Sequence, residues 1–203
     1  MSGVDTIETM TAKGPYAKGI AKREEILTTA LGVIARNGYR RTSVRELADA
    51  VGLSQAGLLH YFTSKEELFT EVLRKRDEVD RETYIDGTED PLEAFVGVIR
   101  HNADVPGLVQ LYSRLAVDST DPDHAAHDFF VERFAGDRTE ITAAIAAEQK
   151  AGRIDAGLDP ERLASVILAA ADGLQTQWLL DPSIDMAAHL SELWRALTSG
   201  AAR

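Results

Sequence analysis

An all-α chain of about nine helices is the fold this sequence predicts, and three observations carry the prediction. Apolar residues recur at spacings of three and four along most of the length, while the period-two alternation of a half-buried strand lasts only a few positions anywhere. Pro91, Pro106 and Pro160 stand where a first-turn proline is tolerated, and glycines follow the ends of periodic segments. Two Ser-x-x-Glu sequences, Ser43 with Glu46 and Ser64 with Glu67, have the form of capping boxes. With 203 residues, 44% hydrophobic and 27% charged, the chain has the apolar mass for a packed core and length enough for two units.

Residues 1–17 mix small, polar, Gly and Pro residues and read as a flexible leader. The first helix is expected over Lys18–Asn37, burying Ile26, Ala30, Val33 and Ile34, with Gly38 just past its end, where a left-handed residue stops a helix without steric penalty. From Ser43 a short helix runs to Ala50 or Val51, Gly52 supplies the positive φ of a turn, and Ser54 caps a second short helix. Leu47, Val51, Leu53, Leu58 and Tyr61 are spaced so that two steeply crossing helices share a small core, and Ala48 keeps room for the second to pass. This is a helix-turn-helix.

A longer helix follows from Ser64 to about Arg81, apolar at Leu68, Phe69 and Val72 and mostly charged from Arg74 on. It reads equally as a connecting lever and as a structural spacer. Beyond Gly87, helices are expected over Pro91–Ala103, Pro106–Asp118, His124–Ala151, Pro160–Leu180 and Asp185–Ser199.

Charge is divided unevenly. Through Lys65 there are nine Lys and Arg against six Asp and Glu; after it, thirteen against twenty-seven. A net charge of −11 argues against nucleic acid for the chain as a whole, but a local basic segment on an acidic body still meets phosphate. The absence of cysteine excludes disulfides, thiolate metal sites and cysteine nucleophiles. No uninterrupted apolar run approaches the roughly 18 residues of a membrane span, and the expected location is the cytoplasm, with no membrane partner. No phosphate loop, nucleophile elbow or carboxylate pair is found, so no catalytic residue, cofactor or metal is expected. His124 and His127 with neighbouring Asp123 and Asp128 lack a third group to complete a metal site.

Over Ile26–Phe69 the sequence resembles the TetR-type transcriptional regulators. The resemblance rests on an amphipathic helix ending in Asn37-Gly-Tyr, then Thr42-Ser-Val-Arg-Glu-Leu-Ala-Asp-Ala-Val-Gly-Leu-Ser, then His60-Tyr-Phe-Thr-Ser-Lys-Glu-Glu-Leu-Phe. Weaker likeness to the ligand-binding halves of such proteins lies at Asp128-Phe-Phe-Val-Glu-Arg-Phe and Asp172-Gly-Leu-Gln-Thr-Gln-Trp. The resemblance implies an N-terminal helix-turn-helix domain of three helices at residues 18–65, a connecting helix at 66–82, and a C-terminal ligand-binding and dimerisation domain at 83–203. It also implies a homodimer that binds a palindromic double-stranded DNA operator and is released by a small-molecule effector, most often as a repressor.

Carried over position by position, Gln55, Ala56, Gly57 and His60 on the second short helix, capped by Ser54, would face base edges, with Arg45 as a further base or phosphate contact. Tyr61, Thr63 and Lys65, with the N–H groups at Ser43 and Ser64, would hold phosphates, and Lys18, Lys22 and Arg23 would add backbone attraction. Two positions depart from the family: Leu59 stands where a Tyr is frequent and Gly57 where a Thr or other polar residue is, so readout leans on Arg45, Gln55, His60 or DNA shape.

Polar residues that interrupt apolar stripes among helices five to eight are the expected ligand contacts: Asn102, Tyr112, Arg138 and Gln175, beside Phe95, Ile99, Leu115, Phe130 and Phe134. The last two helices are expected to form a four-helix dimer interface through Ala164, Leu168, Ala171, Gln175, Leu190, Leu193, Trp194 and Leu197. Two other readings remain: a helical enzyme using the His-Asp cluster, and an interaction module that kept the motif but lost DNA binding.

Overall fold

The computed structural model describes residues 15–88 and 90–199. Among the described residues there is no strand, and nine α-helices follow in order: α1 (Pro15–Asn37), α2 (Val44–Ala50), α3 (Gln55–Leu58), α4 (Lys65–Asp80), α5 (Pro91–Asn102), α6 (Pro106–Asp118), α7 (His127–Lys150), α8 (Pro160–Leu180) and α9 (Met186–Ser199). A 3-10 turn at Tyr39–Arg41 and a π turn at Arg81–Ile85 were not expected. Residues 1–14 of the expected leader lie outside the described residues, and Pro15–Ala17, also assigned to it, already belong to α1.

The caps explain most of the boundaries. Ser43 Oγ accepts from the Glu46 N–H while Glu46 Oε2 accepts from the Ser43 N–H at 2.7 Å, a complete reciprocal box. The second box forms differently. Ser64 Oγ accepts from the Glu67 N–H as expected, but the Glu67 carboxylate takes the N–H and hydroxyl of Thr63, one residue upstream of Ser64. Those bonds hold the Glu67 carboxyl below its ordinary range. Asp90 and Asp159 cap α5 and α8, each followed by a proline at the first helical position. The seventh helix begins at His127 rather than His124; His127 Nδ1 lies 2.9 Å from the Ser119 carbonyl, and His124 Nδ1 accepts from the Ala126 N–H.

The first core gathers Ile26, Ala30 and Ile34 of α1, Leu47 and Ala48 of α2, Leu58 of α3, and Phe62, Leu68, Phe69 and Val72 at the head of α4. It is not sealed off as a separate unit. Leu108, Leu111 and Leu115 of α6 and Phe129 and Phe130 of α7 belong to the same cluster, so the body of the protein completes the core of its N-terminal part. Gly107 makes the close approach possible, because a Cβ there would lie 2.2 Å from the Ile34 carbonyl oxygen.

A second cluster joins α5, α6, α8 and α9 through Ile99, Val109, Ala171, Trp178 and Leu190, and a third joins α7 to α8 through Ile145, Ala164 and Ile167. The eighth helix is the one described helix whose length and mean hydropathy, 1.2 over 18 residues, reach those of a membrane span. Its apolar side packs chiefly on α7, and Asp172 and Gln175 at its middle enter a buried hydrogen-bond network, as in the central helix of a folded body.

Candidate nucleic-acid interface and internal cavity

The N-terminal core holds the turn between α2 and α3 against α1, with Gly52 at φ 68°. Around that turn Ser43, Arg45, Ser54, Gln55, Ala56, His60, Thr63 and Lys65 are exposed, while Gly57 and Tyr61 are half-buried. The structure thus brings the expected DNA-facing residues to one accessible segment. The α3 helix is a single turn, ending at Leu58, so His60 and Tyr61 lie beyond it in an irregular stretch, their rings 6.0 Å apart edge to face.

Two expected phosphate contacts, the Ser43 N–H and Thr63, are already engaged. The Ser43 N–H is bonded to Glu46, which also places a carboxylate at that helix start, and both the N–H and hydroxyl of Thr63 are bonded to Glu67. Lys22 and Arg23 serve the fold. Lys22 donates to the Val51 carbonyl at 3.0 Å, closing the end of α2, and Arg23 pairs with Glu71 at 3.0 Å while lying over the Phe62 ring. Arg45 forms no ion pair among the described residues, and Lys65 lies 5.4 Å over the Phe69 ring with its side chain exposed. Lys18 is likewise exposed and forms no ion pair among the described residues, so of the expected contacts Lys18, Arg45 and Lys65 are available to a polyanion.

Behind this unit α4 to α8 enclose a cavity of about 390 Å³. Six of the residues expected to contact a ligand line it: Phe95, Ile99, Asn102, Tyr112, Phe134 and Gln175. Leu115 and Phe130 do not; both are buried in the N-terminal core. Arg138 also lies outside the wall, about 140° around α7 from Arg133 at 100° per residue, and Arg133 is the guanidinium that reaches the cavity instead.

Sequence reasoning missed the charged part of this wall. Arg76, Asp77 and Asp80 come from the mostly charged half of α4, read only as part of a lever or spacer, yet Arg76 is 4% exposed and Asp80 5%. A signal was present, since positions 69, 72, 73, 76 and 80 continue one helical stripe and a basic and an acidic residue four apart can enter a core together. Arg76 Nη2 donates to Asn102 Oδ1 at 2.6 Å, and Asn102 Nδ2 to Gln175 Oε1 at 3.3 Å. Tyr112 and Gln175 both donate to Asp172 Oδ1. Arg133 Nε bonds Asp77 at 2.8 Å and its Nη1 bonds Asp137 at 2.8 Å. The chain of bonds runs through α4, α5, α6, α7 and α8.

Burial sets the electrostatics here. It raises the carboxyls of Asp80, Asp137 and Asp172 above their ordinary range and pushes the Tyr112 hydroxyl up. Burial is the largest single influence on Arg133 and works against its charge, but Asp77, Tyr112 and Asp137 together outweigh it and hold the guanidinium protonated.

The expected dimer contacts need correction. Ala164, Leu168, Ala171, Gln175 and Leu190 are buried within the single chain, Leu168, Ala171 and Gln175 in the cavity wall, so none is free for a second copy. Leu193, Trp194 and Leu197 are half-buried against α7 and α8. The broad apolar face of α8 looked like an interface because its intrachain partner, α7, has a weak apolar pattern of its own. The opposite side of α8 is open: Val166 is 57% and Leu180 84% exposed, with Ala169 exposed between them and free space over Gly173. Among the described residues, no three His, Asp or Glu side chains are grouped as metal ligands, and His124 and His127 are engaged in the local bonds described above.

The sequence and the fold are similar to those of known proteins. Residues 26–72 match the family described as bacterial regulatory proteins, tetR family. The chain is 30% identical over 165 residues to the HTH-type transcriptional regulator RutR of Escherichia coli K12, covering 74% of this chain and 72% of that protein. It is 37% identical over 81 residues to the HTH-type transcriptional repressor KstR2 of Mycobacterium tuberculosis H37Rv, covering 38% of this chain and 40% of that one. A transcriptional regulator from Saccharomonospora viridis, solved in complex with choline, superposes with a TM-score of 0.68 at 25% identity, over 85% of this chain and 95% of its own.

Proposed function

The chain belongs to the tetR family of bacterial regulatory proteins, and on that premise we propose that it is a ligand-responsive repressor that binds a palindromic operator as a homodimer and leaves it when a small molecule enters the cavity. The observation that carries this reading is the joint core. Leu108, Leu111 and Leu115 of α6 complete the packing of the DNA-facing unit, and α4 runs from that unit into the cavity wall, so a change at the cavity is felt where Gln55 and His60 are held. The choline held by the Saccharomonospora viridis relative favours a small-molecule effector.

In this reading residues 18–65 contact DNA, 66–82 connect, and the remainder up to 203 binds effector and partner subunit. Gln55, Ala56 and His60 read bases, with Arg45, Tyr61 and Lys65 on phosphates. Two copies pair through the outward side of α8, where Val166, Ala169, Gly173 and Leu180 offer a small and apolar stripe. A DNA partner implies work in the cytoplasm.

Selection of binding sites from randomised DNA with the full chain tests the reading. The expected product is an enriched inverted repeat whose binding weakens steeply with salt. Recovery of no enriched sequence would favour a helical interaction module without DNA binding.

A further inference from the structure

Arg76 and Asp80 sit one turn apart on α4, both lining the cavity and both more than nine-tenths buried. Of the guanidinium, only Nη2 is bonded, to Asn102. Nε and Nη1 have no hydrogen-bond partner, and neither does Asp80 Oδ2, although Arg76 Nε stands 3.3 Å from it. That distance supplies charge attraction, but the alignment is not that of a hydrogen bond. A native interior seldom leaves a donor and an acceptor unmade side by side unless something else completes them.

The charge of the wall narrows what that is. Asp77, Asp80, Glu132, Asp137 and Asp172 line it against Arg74, Arg76 and Arg133, while Arg81 and Glu140, also in its lining, pair with each other at 2.8 Å. An anionic head group would add to an excess of carboxylates. A cationic one would have to lie against the free Nη1 of Arg76.

We propose that the cavity recognises an uncharged ligand through a carboxamide-type edge, as in a primary amide, a lactam or a urea, whose carbonyl accepts from Arg76 and whose N–H donates to Asp80. The apolar remainder of the ligand lies among Phe95, Phe134, Ile141 and Leu168. This inference rests on the reading of the cavity as the effector site. Arg76 is also the first donor in the network through Asn102 and Gln175 to Asp172, so a ligand on its free nitrogens acts on the helix that leads to the DNA-facing unit.

Titration calorimetry on the full chain without DNA, using 4-phenylbutanamide, 4-phenylbutanoate and 4-phenylbutylammonium, tests it. The amide is expected to bind at least tenfold more tightly than either charged analogue. In Arg76→Lys, which keeps the charge and removes Nη1, and in Asp80→Leu, the amide should lose at least tenfold in affinity; a thermal melt of each variant establishes that it is folded. Equal or tighter binding of either ion, no binding by any of the three, or undiminished amide binding to folded Arg76→Lys would overturn the proposal. Because no DNA is present, amide binding by a chain that selects no operator would sink the regulatory reading and leave this one standing, and the reverse result would do the opposite.

Discussion

Gly107 lies directly against the carbonyl of Ile34: a Cβ at residue 107 would stand 2.2 Å from that oxygen and 2.7 Å from the Cα of Gly38. Both neighbours are backbone, at the end of α1, and cannot rotate away. The glycine therefore sets how closely α6 can approach the DNA-facing unit.

Replacing Gly107 with Ala is expected to force the two helices apart and cost about 3 kcal/mol, the upper end for overpacking, which for a chain of this size lowers Tm by roughly 6–12 °C. Gly97→Ala serves as the control. Its Cβ would meet Tyr84 Cδ1 at an ordinary 3.6 Å, and alanine's better helix propensity should stabilise by about 0.5–1 kcal/mol. Circular dichroism melts of both variants decide the matter, and an unchanged Tm for Gly107→Ala would show that the α1–α6 contact is not tight.

On a selected operator, Gln55→Ala should change the preference among related sequences by about 1–3 kcal/mol at one position. Lys65→Ala should weaken binding to all sequences alike and reduce the slope of log affinity against log salt by about one. Fluorescence anisotropy at several salt concentrations separates the two. If Gln55→Ala weakens every sequence equally, the assignment of that side chain to base edges fails.

Asp172 gives a pH test. Its carboxyl is raised by burial, so the stability tied to its protonated form is complete below the unfolded value near 3.9 and is lost as pH rises through the higher folded value. At pH 7 the charge is a cost. Asp172→Asn keeps an oxygen to accept from Tyr112, and the variant should melt a few degrees above the parent at pH 7, with the difference closing as pH falls toward 4. A variant less stable than the parent at neutral pH would refute the argument.

Val166→Arg on the outward side of α8 should convert a two-chain particle into a single chain without lowering Tm of the monomer. Light scattering after size exclusion measures the mass. Retention of two chains would move the proposed interface elsewhere.

Much of this was legible in the sequence, for local reasons. Pro91, Pro106 and Pro160 each mark the start of a helix, and Ser43 with Glu46 forms the expected box. What was not legible depends on neighbours distant in sequence. Glu67 chose Thr63 over Ser64 because the chain entering α4 brings both polar groups of Thr63 within reach. The two sides of α8 are both rich in small and apolar residues, and only the position of α7 decides which faces inward. Taken singly, Arg76 and Asp80 are only two of the charged residues in the second half of α4, but together on one stripe they follow Phe69 and Leu73 into the interior.

The α3 helix has four residues. At 1.5 Å per residue it advances roughly 6 Å, under two steps of a duplex that rises roughly 3.4 Å per base pair. On the proposed reading so narrow a probe samples few letters in each half-site, and discrimination passes to the distance and phase between the two probes. Targets of this regulator would then tolerate point changes within a half-site better than the gain or loss of a single base pair at the centre.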